Sequence, residues 1–124
     1  MASKVAIVNV DGNIEGSVER AIDLIGGMKI EKDSHVIIKP NITYPKNFHS
    51  MVLTDLRVVE AVVRLAKKFT KHITVVESDN MSGTVEERVA ESGFLEAIDR
   101  WEVGFKNLNE DKVEEHWVDG ITLH

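Results

Sequence analysis

Short β-branched runs alternate along this chain with helix-length segments whose apolar residues recur every three or four positions. That alternation fixes the fold class before any single residue is considered. "KVAIVNV" (4–10), "HVIIK" (35–39), "HITVVE" (72–77) and the weaker "VGFKNL" (103–108) read as strands, the first of them buried on both faces. Between them, Val18, Ala21, Ile22 and Ile25 share one helical face, and "TDLRVVEAVVRLAKKF" (54–69) is the strongest helix. A further helix is expected from Thr84 to about Glu91, and "FLEAIDRW" gives one more. The expectation is an α/β fold: an open, mainly parallel sheet of about four strands with helices on both faces, in Rossmann-like three-layer form. Asp119-Gly120 between short apolar runs predicts a carboxyl-terminal hairpin.

Local punctuation agrees with this division. Gly26 and Gly27 can end the first helix in left-handed geometry. Ser17 is a candidate cap for that helix, and Thr54 or Asp55 for the next. Lys67, Lys68 and Lys71 collect where the second helix should end, complementing its dipole. Thr84 and Glu87 have capping-box spacing, and Gly93 stops the helix they begin.

With 124 residues and no repeats or linkers, residues 1–124 read as a single α/β domain. The pattern breaks off in mid-element at "ITLH", which predicts that the domain is the amino-terminal part of a longer protein. No apolar run reaches the roughly 18 residues of a membrane span, and "MASKVAIVNV" lacks a signal region. A cytoplasmic protein with no membrane partner is expected. The absence of cysteine excludes disulfides, thiolate zinc and a cysteine-held iron–sulfur cluster within this chain. A net charge of −6 argues against nucleic acid as a partner.

In an open parallel sheet, ligands bind beyond the carboxyl ends of the strands. "VIIKPNITYP" (36–45) ends one such strand in the chain's two prolines. Pro40 keeps Lys39 extended, so Lys39 and Asn41 would present a cation and an amide on one side. That pair suits a carboxylate or phosphate; a solvated lysine and a turn asparagine would look the same in sequence. The loop to Leu53 is long for an α/β unit, with Phe48 and Met51 near its tip as lid residues or as covers for the core. Thr54 stands where this loop enters a helix, a place that favours anions or simply needs a cap. Glu77, Ser78 and Asp79 follow the third expected strand and could hold a cation, a ribose or a water, or form a polar turn. Glu77 ends an apolar strand, and a buried carboxylate needs a partner; Lys39 is the obvious one. "DGNIEGS" lacks the spacing of a dinucleotide or P-loop motif. The five histidines form no metal pattern, and only His49 lies near the candidate edge. No nucleophile–base pairing is visible, so catalytic residues and cofactor stay unassigned.

"VIIKPNI", "TDLRVVEAVVRLAKK", "ITVVESDN" and "RVAESGF" together resemble the uncharacterised family Domain of Unknown Function 362, from about Val36 to Leu108. The resemblance picks out Lys39, Pro40, Asn41, Thr54 and Gly93, with Glu77 and Ser78 less closely matched. It also implies a longer protein, some members of which carry ferredoxin-like cysteine clusters downstream. The resemblance names no activity.

Two functions follow. One is a small anionic ligand held at the carboxyl edge by Lys39, Asn41, Thr54, Glu77, Ser78 and Asp79, in part of an enzyme of unknown reaction. The other is a non-catalytic interaction module or subunit of a redox-associated assembly, with a second copy or a missing carboxyl-terminal half as partner.

Overall fold

The computed structural model describes residues 3–46, 52–117 and 120. Helix α1 (Ile14–Leu24) is followed by β1 (Val36–Ile38), α2 (Leu56–Lys67) and β2 (Ile73–Glu77). Then come α3 (Val85–Glu91), α4 (Phe94–Arg100), β3 (Gly104–Asn107) and a 3-10 turn, Leu108–Glu110. The sheet is open and parallel, in the order β1-β2-β3. Val36 pairs with Ile73 on one side of β2, and Val75 with Phe105 on the other. As the central strand, β2 is buried along nearly its whole length, which accounts for its unbroken apolar run.

Among the described residues the sheet has three strands, not about four. Residues 4–10 are coil outside it, with Val5, Ile7 and Val10 at 86%, 93% and 62% exposure. Strand propensity expresses itself only against a neighbour that supplies hydrogen bonds and cover, and this segment lies along helices instead. Val8 and Val10 line a groove with Ile14, Val18 and Val58, from α1 and the start of α2. The expected hairpin falls at residues 116–124, most of which lie outside the described residues.

Helix α1 is capped by Asn13, whose side chain accepts the Gly16 N–H. Ser17 is not the cap; it is buried one turn inside, and its hydroxyl donates to the Asn13 carbonyl. Gly26 and Gly27, at φ 113° and 79°, end the helix, the Gly27 N–H returning to the Ile22 carbonyl. Helix α2 packs on α1 and on β1 and β2. Its buried stripe includes Val59 and Val63, which meet Val75, Val85, Val89, Phe94 and Ile98 in the core. Thr84 caps α3 as its spacing predicts, accepting from the Glu87 N–H. Gly93, at φ 83°, turns the chain from α3 into α4.

Candidate functional site

Pro40 is buried where β1 ends, and the chain emerges at the carboxyl edge of the sheet. There the two legs of the long loop close on each other. Ile42 forms an antiparallel bridge with Leu53. The Asn41 N–H donates to the Thr54 hydroxyl (2.8 Å), and the Thr54 N–H donates back to the Asn41 carbonyl (3.0 Å). The Asn41 side chain donates to the Val52 carbonyl and accepts from the Thr43 hydroxyl. Asn41 and Thr54 therefore use their polar groups to shut the loop. Asp55 rather than Thr54 caps α2, its carboxylate accepting the Arg57 N–H. Hydrogen bonds from the Arg57 side chain and N–H hold Asp55 below the ordinary carboxylate range. Thr54 and Asp55 line a cleft of about 380 Å³ that also takes in Ser92 and Phe94.

Glu77 ends β2 with 5% of its surface exposed. One carboxylate oxygen lies 2.5 Å from the Lys39 ammonium and accepts the Ser78 N–H; the other accepts the Ile42 N–H at 3.1 Å. Burial is the largest single influence on this carboxyl and pushes its pKa up. The lysine and the two N–H donors together outweigh it, leaving the pKa below the ordinary glutamate value. The Lys39 side chain is 52% exposed, with its ammonium anchored on the buried Glu77 carboxylate. The expected pairing of Lys39 with Glu77 is present.

The sequence reading missed Arg88. It is fully buried in α3 and donates to the carbonyls of Thr84, Ile42 and Ser78. Its signal was present: Val85, Arg88 and Val89 fall on one helical face, so a charge interrupts an apolar stripe. Ile42 thus gives its N–H to a carboxylate on β2 and its C=O to a guanidinium on α3. Ser78 is held likewise, N–H to Glu77 and C=O to Arg88.

Asp79 is exposed but bonded back to the elements on either side of the turn. Its carboxylate accepts from the Val85 N–H and the Asn107 side chain, and its own N–H donates to Asn109. Asn107, buried at the end of β3, was not among the expected residues. Asn80 reaches across to the Thr43 carbonyl. At the carboxyl edge, Lys39, Glu77 and Ser78 are bonded together through the Glu77 carboxylate, Asn41 and Thr54 are bonded to each other across the loop, and Asp79 is bonded separately to Val85, Asn107 and Asn109. Phe48, His49 and Met51 lie outside the described residues. His35 and His72 lie at the opposite, amino edge, where the Val36 N–H meets the His72 carbonyl. Among the described residues, no group of three or more His, Asp or Glu could hold a metal ion, and no helix is long and apolar enough to cross a membrane.

These features define an α/β domain with an open parallel sheet at whose carboxyl edge stand opposite charges from the residue after β1, from β2 and from α3. The chain belongs to the family described as Domain of unknown function (DUF362), whose sequence model matches residues 36–123. No curated protein and no solved structure matches it.

Proposed function

We propose that the carboxyl edge of the sheet binds a small anionic molecule through Lys39. The observation that carries this reading is a half-exposed lysine side chain whose ammonium is fixed by a buried carboxylate at a strand's carboxyl end. An ammonium has three donors, and Glu77 takes one face of Lys39, leaving the outer face for a carboxylate or phosphate. Asn41, Thr54, Ser78 and Asp79 act in this reading by fixing the loop and turn around the lysine, since their polar groups serve the fold. The domain belongs to a cytoplasmic protein and forms part of an enzyme whose reaction is open.

The test is titration of isotope-labelled protein with inorganic phosphate and with oxalate. Saturable shifts at Lys39, Asn41 and Ser78 are expected, absent in the paired variant K39M/E77Q, which avoids leaving a lone buried charge. Absence of saturable shifts in the wild type with either anion defeats the proposal.

A second reading, an interaction module, is favoured by the exposed apolar side chains of Val5, Ile7 and Ile37. It predicts self-association in sedimentation that is lost when Ile7 is changed to Lys.

A further inference from the structure

Opposite the candidate site, at the amino edge of the sheet, lies a second cleft of about 400 Å³. It is lined by Lys32, Lys67, Lys68 and Lys71, with Asp33 as its one carboxylate and Phe69 as its aromatic wall. This is a concentration of positive charge on a chain whose net charge is −6. We propose that this cleft binds a small polyphosphate-bearing molecule.

The lysines come from two parts of the chain. Lys67, Lys68 and Lys71 stand at the end of α2, where the helix dipole alone would favour cations. Lys32 does not share that explanation. It sits in a tight turn before β1, closed by the Ser34 N–H to the Glu31 carbonyl, with Asp33 in left-handed geometry at φ 70°. The turn brings a cation from a separate element to the same cleft.

Most of this charge is uncommitted. Lys68 is paired with Glu19 at 2.9 Å, and Lys67 has only a loose contact of 3.9 Å with Glu102, itself 88% exposed. Lys32 and Lys71 have no ion-pair partner among the described residues. Three ammonium groups around a concave site suit a polyanion better than a single carboxylate. The cleft has the volume of a small-molecule site. Phe69, 43% exposed, lines its wall.

The experiment is calorimetric titration of the wild-type chain at low salt with tripolyphosphate, ATP and inositol trisphosphate. Saturable one-to-one binding of at least one is expected, weakening as salt is raised. The K32E/K71E variant should weaken it by at least about tenfold, the factor that separates a specific contact from diffuse attraction. ATP binding more tightly than tripolyphosphate, with the difference lost in Phe69→Leu, identifies a nucleotide as the source. Equal binding of the two identifies the polyphosphate group itself, and preference for inositol trisphosphate identifies a headgroup. K39M/E77Q should bind like wild type, because its substitutions lie at the other edge. The proposal is overturned if none of the three binds saturably, if K32E/K71E binds unchanged, if K39M/E77Q abolishes binding, or if a short RNA binds more tightly than all three.

Discussion

Glu77 concentrates the electrostatics of the carboxyl edge in one side chain. Its carboxyl is depressed in the folded state relative to its ordinary value of 4.5. A group depressed in this way stabilises the fold above its unfolded-state pKa. That contribution disappears as pH falls through the folded-state value. The urea midpoint of the wild type should therefore drop more steeply than that of Glu77→Gln between about pH 5 and about pH 3. The comparison isolates Glu77 from Asp55, Glu60 and Asp111, which are also depressed and remain in both proteins. Equal slopes would refute the assignment. Arg88 presents the converse case. Arg88→Met removes the donors to the Ile42 and Ser78 carbonyls and should cost about 3 kcal/mol in denaturant unfolding, because buried carbonyls lose charged partners. A loss below about 1 kcal/mol would show that water replaces the guanidinium.

At the level of elements, the loop after β1 is defined by how it closes. Thr54→Val keeps the shape of the side chain but removes the acceptor of the Asn41 N–H. The Asn41 amide should then exchange with solvent at least about tenfold faster, equivalent to roughly 1.4 kcal/mol of local stability. Unchanged exchange would mean that the Ile42–Leu53 bridge alone holds the loop. Asp55→Ala should cost about 1 kcal/mol in thermal or urea unfolding through loss of the α2 cap. The helices and the three paired strands were legible in the sequence because each carries its own period and its own stop signal. The pairing of Lys39 with Glu77 was legible too, since a carboxylate ending an apolar strand needs a cation nearby. The inward roles of Asn41 and Thr54 were not, because they depend on which residues the returning leg of the loop brings alongside. Arg88 was readable in principle from the break in the apolar stripe of α3, but two of its carbonyl partners, Ile42 and Ser78, are 46 and 10 residues away in sequence. Residues 4–10 show the opposite failure: strong local preference with no strand beside them.

Across the whole molecule, stability should be graded. The amides of β2, paired on both sides and buried, should exchange most slowly, and those of residues 4–10, which form no ladder, close to the rate of a free peptide. Comparable protection in both regions would contradict the three-stranded sheet. The two ends of that sheet also differ in how they hold charge. At the carboxyl edge the charges interlock with one another and with the backbone; at the amino edge, lysines surround a hollow with little to neutralise them. The grip on Ile42 has a further result. One residue's two polar atoms are fastened by opposite ions belonging to different layers, so pulling either ion away loosens the other's hold. Acidification, which discharges only the carboxylate, would undo this latch from one side, leaving the guanidinium to hold the strand's exit and the neighbouring turn by their carbonyls.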